Sequence, residues 1–276
     1  MRIVVVSGGG EYPLTIVKGA KRAGVERVDV LAVRGSTGRA TRAAADGVKT
    51  FGIGEIATGI KWIADQNYDG AIFAGQVNPL SLFRSRFDAQ TRAWLREMPA
   101  KTAHTLFGKL VGELEKAGAR VLPASLYMED CIPGEGILGS RAPGEAERRD
   151  IEHAERVARD IGVHDVGQTV TVKSGMVLSV EAFEGTNAAI MRGGRLGGEG
   201  AVVFKAAREG HDMRFDIPVV GLKTLKTMKK AGAKVLAFHA GRTIFLDREK
   251  AVAFADRHGI AIVALRTDLP PAPTRL

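Results

Sequence analysis

MRIVVVSGGGEYPLTIVKGAKRAGVERVDVLAV, residues 1–33, predicts a strand, a glycine-rich loop, a helix and a second strand. Ile3–Val6 and Val28–Val33 are continuous apolar runs, which is the pattern of parallel strands buried on both faces. Leu14–Arg22 lies between them and has the apolar spacing of a helix. Two parallel strands joined by a helix form the βαβ unit. This stretch therefore predicts an α/β fold with a parallel sheet.

The alternation of strand and helix continues through the first half of the chain. Ile56–Asp65 and Thr102–Lys116 have helical spacing, and Ala71–Ala74 is a short apolar run between them. In such sheets the groups that bind a ligand lie at the carboxyl ends of the strands. We expect residues 1–133 to form a first α/β domain with a Rossmann-like parallel sheet.

The second half of the chain is less regular. Thr169–Lys173 and Met176–Glu181 alternate on either side of Ser174-Gly175, which is typical of a β-hairpin. Proline and glycines in Cys131–Arg141 are typical of a domain boundary. We expect residues 134–276 to form a second α/β domain, with a mixed sheet, helices and the catalytic loops.

Composition and charge narrow the class of protein. The chain is 45% hydrophobic and 26% charged, as in ordinary soluble domains, and no apolar run approaches the roughly 20 residues that cross a bilayer. The single cysteine excludes an internal disulfide and a cysteine-based metal site. These features predict a cytoplasmic protein. The net charge of +9 favours an anionic ligand, although a plain solvated surface accounts for it equally well.

Several classes of function are disfavoured. No nucleic-acid-binding motif accompanies the basic charge. A nicotinamide cofactor is disfavoured because Pro13 stands where the third glycine of the dinucleotide fingerprint belongs, and Arg34 where an acid would hold a ribose. The six histidines fall at no metal-ligand spacing, and we expect them on the surface or in loops.

Two loops of the first domain are candidate binding sites. Ser7–Gly10 follows the first strand, where glycines let the backbone approach a phosphate at the start of a helix. The turn from Phe73 to Pro79, FAGQVNP, offers amide side chains at the end of another strand. Each loop could equally be a tight turn without a ligand. Both alternatives stay open on sequence.

Two polar clusters follow strands of the second domain. The first offers carboxylate, amide and hydroxyl oxygens, which suit Mg²⁺ or a similar hard cation. Its members are Asp165, Gln168, Glu181, Glu184, Thr186 and Asn187. The alternative is local capping, with Thr186 starting a helix and Glu181 pairing with a lysine. The second cluster contains Lys205, Arg208, Arg214 and Asp216; its arginines suit bidentate contacts with phosphate.

Five segments together resemble the LpxI family, the UDP-2,3-diacylglucosamine pyrophosphatases of lipid A biosynthesis in Gram-negative bacteria. They are SGGGEYPL (7–14), FAGQV (73–77), DVGQTVTVKSGMVLSVEAFEGTNA (165–188), KAAREGHDMRFDIPVVG (205–221) and AGRTIFLDRE (240–249). The resemblance implies two α/β domains with the substrate at their interface. It also implies hydrolysis to UMP and the diacylated sugar phosphate by water, with Mg²⁺ or Mn²⁺ as the cofactor.

The resemblance also implies roles for individual residues. Asp216, in the segment RFDIP, matches the family's important aspartate and would position metal or water, with Glu181 as a second metal ligand. Arg214 and Glu184 complete the expected catalytic set. The expected substrate-binding residues are Gly9, Gly10, Gly75, Gln76, Gln168, Thr186, Asn187 and Lys205.

The partners follow from the same resemblance. The substrate is expected to be a UDP-linked diacylated amino sugar, and its anionic head suits the basic chain. We expect peripheral contact with the cytoplasmic face of the inner membrane, a homodimer, and no nucleic acid.

Two departures from the family's pattern point to an alternative function. Lys101-Thr102-Ala103-His104 stands where the family typically has Lys-Gly-Asp-Asp, and Asn187 stands where it usually has an aspartate. Three carboxylates are therefore replaced. The alternative is a diverged, non-catalytic protein that binds a nucleotide sugar or a lipid phosphate.

Overall fold

The computed structural model describes residues 1–77, 85–98, 103–208, 210 and 212–275, with the side chains of residues 103 and 104 excepted. Asn78 and Pro79 of the FAGQVNP turn lie outside the described residues. So do Lys101 and Thr102, and the side chains of Ala103 and His104, in the segment that departs from the family's pattern. The chain forms two compact units. The first contains residues 1–129, 212–216 and 273–276, and the second contains residues 130–211 and 217–272.

The first unit is built on a parallel sheet. Its strands are β1 (Arg2–Ser7), β2 (Arg27–Val33), β3 (Gly47–Phe51) and β4 (Gly70–Ala74). Its helices are α1 (Tyr12–Arg22), α2 (Arg39–Ala44), α3 (Ile56–Asp65), α4 (Ala89–Glu97) and α5 (Ala103–Lys116). The strands pair in parallel in the order β3-β2-β1-β4. The predicted parallel sheet is confirmed.

Burial explains why β1 is a strand at the centre of this sheet. Ile3, Val4 and Val5 are all fully buried, so consecutive residues on both faces meet apolar neighbours. On α1, Ile16 and Val17 are also fully buried, as a helix covering one face of the sheet requires. The β1–α1–β2 unit therefore has the architecture predicted from residues 1–33.

The second unit contains a mixed sheet. Its strands are β5 (Gly136–Ile137), β6 (Thr169–Lys173), β7 (Met176–Val180), β8 (Val202–Lys205), β9 (Val219–Gly221), β10 (Val235–His239), β11 (Ile244–Leu246) and β12 (Ala261–Leu265). Its helices are α6 (Glu145–Gly162), α7 (Thr186–Gly197), α8 (Leu222–Ala231) and α9 (Arg248–Arg257). The main sheet has the order β5-β12-β10-β8-β6-β7, and β9 pairs with β11 in a small parallel sheet.

Strand direction decides which loops of the second unit meet. Strands β8, β10 and β12 are parallel, whereas β6 is antiparallel to β8. Thr169 at the start of β6 therefore pairs with Lys205 at the end of β8.

The predicted hairpin between β6 and β7 is confirmed. Ser174 and Gly175 have positive φ angles of 52° and 77°, and the Asp150 carboxylate accepts both of their backbone N–H groups.

Helices cover both faces of the mixed sheet. On one face Ala154 and Ala158 of α6 pack in a cluster with Phe204 of β8. On the other face Ile190 of α7 and Leu225 of α8 belong to a second cluster. The predicted mixed sheet with helices is confirmed. Within the described residues, no helix combines the length and the apolar character that crossing a membrane would need.

Candidate functional site

The glycine-rich loop after β1 lies against the turn after β4. The Gly9 N–H donates to the Gln76 carbonyl at 2.7 Å, and the Gln76 N–H donates to the Gly9 carbonyl at 3.0 Å. A Cβ atom on Gly75 would lie 2.6 Å from the Gly9 carbonyl oxygen. The structure therefore brings Gly9, Gly75 and Gln76 together through their backbones, which agrees with the tight-turn alternative.

The start of α1 is a poor phosphate site. Glu11 is its N-cap residue, and Pro13 lies in its first turn. Proline has no N–H to donate, and the Glu11 carboxylate opposes an anion at the positive end of the helix. Gly10 differs from the other glycines of the loop, because its φ is +90° and no atom of the described residues lies within 4 Å of its Cβ position. The backbone of this loop is therefore least covered at Gly10.

The close contact between the two loops makes a prediction at Gly8. An alanine Cβ there would lie 2.6 Å from the Gln76 carbonyl oxygen, so we expect Gly8→Ala to lower the free energy of unfolding by about 1–3 kcal/mol. Urea denaturation measures this loss. Gly108→Ala is the control, because Gly108 lies in α5 with no atom of the described residues within 4 Å of its Cβ position, and this variant should gain up to about 1 kcal/mol. Unchanged stability of Gly8→Ala would contradict the described packing.

The RFDIP segment is split between the two units. Residues 212–216 belong to the first unit, although their sequence position lies within the range predicted for the second domain. The Met213 carbonyl accepts the Ala124 N–H at 2.8 Å, and the Phe215 ring stacks on Phe107 with centroids 5.6 Å apart. Asp216 is half-buried at the end of this turn, and its N–H donates to the Asp212 carbonyl at 2.8 Å. The turn that carries Asp216 is therefore held by first-unit contacts.

Arg214 is already matched by carboxylates of its own unit. Its Nε and Nη2 donate to the Asp212 carboxylate at 2.9 and 2.6 Å, and its Nη1 donates to Glu115 Oε1 at 2.6 Å. The hydrogen bond to Asp212 is the main cause that raises the pKa of Arg214. The geometry favours a role in fixing the turn that carries Asp216 over the expected contact with the pyrophosphate.

Lys205, Thr186 and Glu181 form a buried chain of contacts in the second unit. Lys205 Nζ donates to Thr186 Oγ1 at 2.6 Å, and Thr186 Oγ1 donates to Glu181 Oε1 at 2.9 Å. Lys205 Nζ also lies 4.0 Å from Glu181 Oε2. Lys205 is 4% exposed and Glu181 is 8% exposed. The structure therefore brings together three of the predicted site residues, at the edge where β8 ends and β6 begins.

Among the described residues, one oxygen of this chain and one oxygen of Gln168, which precedes β6, are buried and have no hydrogen-bond partner. They are Glu181 Oε2 and Gln168 Oε1. An unpaired buried acceptor costs about 1–3 kcal/mol, so both oxygens favour a donor supplied by a ligand. Lys205 already provides a positive charge near Glu181 Oε2, and among the described residues no three His, Cys, Asp or Glu side chains are grouped as a metal site. A hydroxyl or amide donor fits these oxygens better than Mg²⁺.

Glu184 and Asn187 make local contacts around the start of α7. Glu184 pairs with Arg192, and this hydrogen bond lowers the pKa of the Glu184 carboxyl, so it stays ionised at neutral pH. Asn187 Oδ1 accepts from Thr227 Oγ1 at 3.3 Å. Thr186 is the first residue of α7, as the capping alternative predicted. The ion pair does not favour Glu184 as a proton donor in catalysis.

His239 was not predicted as a site residue, and the expectation that the histidines lie on the surface or in loops is wrong for it. His239 ends β10 and is 6% exposed. Its Nδ1 accepts the Ala207 N–H at 3.0 Å, and its Nε2 lies 3.1 Å from Glu155 Oε1. The signal in the sequence was its position at the end of the apolar run VLAF.

Arg242 is a second residue that the sequence analysis did not single out. It is 4% exposed, and its guanidinium donates to the Pro270 carbonyl at 2.6 Å and to the Arg208 carbonyl at 3.5 Å. Burial lowers the pKa of Arg242. Arg242 follows β10, and its contact with the Arg208 carbonyl therefore holds the segment that follows the neighbouring strand β8.

Comparison with known proteins matches both halves of the chain to one family. The LpxI N-terminal domain matches residues 2–131, and the LpxI C-terminal domain matches residues 134–263. A relative from Caulobacter vibrioides is named "UDP-2,3-diacylglucosamine pyrophosphatase LpxI". It is 31% identical over 228 residues, which cover 78% of this chain and 80% of that protein.

Proposed function

The chain belongs to the LpxI family, and we propose that it hydrolyses UDP-2,3-diacylglucosamine to UMP and 2,3-diacylglucosamine 1-phosphate. The observation that carries this proposal is the relative named for a pyrophosphatase of that substrate, which aligns with 78% of the chain. The segment with Asp216 supports it, because the stacking of Phe215 and the ion pair of Arg214 hold the turn that carries this residue.

Asp216 is the proposed catalytic carboxylate, and it would hold Mg²⁺ or Mn²⁺ together with the phosphates of the substrate. Mg²⁺ commonly keeps several waters and uses only one or two protein carboxylates in phosphate sites. One carboxylate is therefore chemically sufficient, and no acidic cluster is needed. When bound, the ion polarises a phosphoryl oxygen and stabilises the charge of the transition state. Arg214 serves this carboxylate indirectly, because its ion pairs with Asp212 and Glu115 fix the turn.

Lys205 and Arg208 are the residues proposed to offset negative charge on the pyrophosphate. The Arg208 guanidinium also donates to the Asp165 carboxylate at 2.7 Å. Gln168 and Glu181 each have a buried unpaired oxygen, which suits a hydroxyl or amide N–H of the amino sugar. Substrate contacts of Gly9, Gly10, Gly75, Gln76, Thr186 and Asn187 stay predictions.

The expected setting of the reaction also stays a proposal. The acyl chains of such a substrate would lie in a membrane leaflet, so the protein would act at the cytoplasmic face of the inner membrane. A basic chain is attracted to an anionic leaflet. Sedimentation with anionic vesicles tests the membrane contact, and light scattering tests the expected homodimer.

Hydrolysis by the purified protein tests the proposed function. We expect UMP release from UDP-2,3-diacylglucosamine with Mg²⁺ or Mn²⁺, and a fall of roughly 100-fold or more after EDTA treatment, since a bound ion supplies several kcal/mol of transition-state stabilisation. Restoring the metal should restore the rate.

The same experiment separates the alternative function. The loss of family carboxylates, among them the aspartate that Asn187 replaces, favours a protein that binds the substrate without catalysis. Tight binding of the substrate without UMP release would support that alternative. Neither binding nor turnover would overturn both.

A further inference from the structure

We propose that His239 is a positioning residue, and that it holds the segment Lys205–Arg208 through the backbone of Ala207 as the neutral Nε2–H tautomer. This inference rests on the proposed function, in which Lys205 and Arg208 face the phosphates of the substrate.

The donor at Nδ1 fixes the tautomer of His239. The Ala207 N–H points at Nδ1 from 3.0 Å, and a backbone N–H can only donate. Nδ1 must therefore carry a lone pair, and the single ring proton lies on Nε2. That proton is donated to Glu155 Oε1 at 3.1 Å. A ring with protons on both nitrogens would point its Nδ1–H at the Ala207 N–H, and it could not accept that hydrogen bond.

Glu155 keeps the ring in this orientation from helix α6. The hydrogen bond from His239 is the main cause that lowers the pKa of the Glu155 carboxyl, so this acceptor is ionised at neutral pH. Arg159, one turn along α6, lies 3.6 Å from the same oxygen and steadies it. The carboxylate, the imidazole and the Ala207 N–H thus form one chain of contacts, as oriented histidines in functional sites do.

The segment that His239 holds connects two proposed phosphate-facing residues. Ala206 N–H donates to the Gln168 carbonyl at 2.8 Å, and the Arg208 carbonyl accepts from Arg242 at 3.5 Å. Ala207 lies between these contacts and is 4% exposed, so its N–H needs a partner inside the protein. His239 supplies that partner. Losing it would free the segment just after Lys205.

A simpler role for His239 is packing, because its ring lies edge-on to Phe204 with centroids 5.2 Å apart. Two variants separate the roles. His239→Asn places an amide oxygen near the position of Nδ1, whereas His239→Gln reaches only toward the position of Nε2. Both variants lose the ring and its contact with Phe204. They differ in whether the Ala207 N–H can keep an acceptor.

Three measurements on the full-length protein test the proposal. Nitrogen NMR of wild type should detect His239 as the Nε2–H tautomer. Hydrogen exchange at Ala207 should be faster in His239→Gln than in His239→Asn. kcat for UMP release should fall roughly 10- to 100-fold in His239→Gln, as expected for a small displacement of contacts with the substrate, and His239→Asn should recover most of it.

Two results would overturn the role of His239: an Nδ1–H tautomer, or equal exchange and equal kcat in the two variants. If wild type releases no UMP, the proposed function fails by itself. The tautomer and the exchange at Ala207 then decide the positioning role without any activity.

Discussion

Asp216→Ala is expected to lower kcat for UMP release by roughly 10²- to 10⁴-fold, because the variant would lose the carboxylate proposed to hold the metal ion, which supplies several kcal/mol of transition-state stabilisation. The fold should persist. The turn around Asp216 is held by the stacking of Phe215 on Phe107 and by the ion pair of Arg214 with Glu115, and the substitution removes neither contact. Steady-state kinetics measures the loss, and a thermal melt checks the fold.

Two further variants make this experiment specific. Asp216→Asn keeps the size of the side chain and removes its charge, so it should lose nearly as much activity as Asp216→Ala. Glu129→Gln is the matched control in the first unit, because Glu129 pairs with Arg275 on the surface and has no proposed role in the reaction. Wild-type rates in Asp216→Ala, with Glu129→Gln also unaffected, would remove Asp216 from the mechanism.

Lys205→Met should be the most destabilising of these substitutions, with a loss of about 3 kcal/mol in the free energy of unfolding. Methionine fills a similar volume but leaves the Glu181 carboxylate buried without the Lys205 cation, and removes the Lys205 hydrogen bond to Thr186 Oγ1. Urea denaturation measures the change. UMP release should also fall, since Lys205 is proposed to face the pyrophosphate.

A double variant tests the cause of that instability. Glu181→Gln removes the charge that Lys205→Met would strand, so Lys205→Met/Glu181→Gln should recover part of the lost stability while remaining inactive. If the double variant is no more stable than Lys205→Met alone, the stranded carboxylate is not the reason for the loss.

Local patterns made much of the fold predictable. Consecutive apolar residues such as Ile3–Val6 are needed only where a strand is buried on both faces, so they identified the parallel sheet. Ser174-Gly175 identified the hairpin because glycine readily adopts the positive φ angle that a two-residue turn needs, and Ser174 adopts a positive φ angle beside it. Helix α4 was not predicted, since only Thr91 and Trp94 are buried in it and its nine residues include two arginines, a glutamine and a glutamate.

The site was predictable in its residue types but not in its pairings. Glu181 and Thr186 were predicted in one polar cluster and Lys205 in another, and the structure joins the three residues. No local pattern could indicate that Glu184 would be matched by Arg192. Likewise, the contact that orients the His239 ring comes from Glu155, which lies 84 residues away in the chain.

The turn at residues 212–216 has a consequence for how this protein can be divided. A fragment ending near residue 133 would include Phe107 and Glu115 but would lack Phe215 and Arg214, which cover and neutralise them. Residues 273–275, which also belong to the first unit, would be missing as well. A chimaera that takes only its amino-terminal half from a relative would thus combine the first-unit core of one protein with the 212–216 turn of another. Chimaeras are therefore better made by exchanging the whole chain.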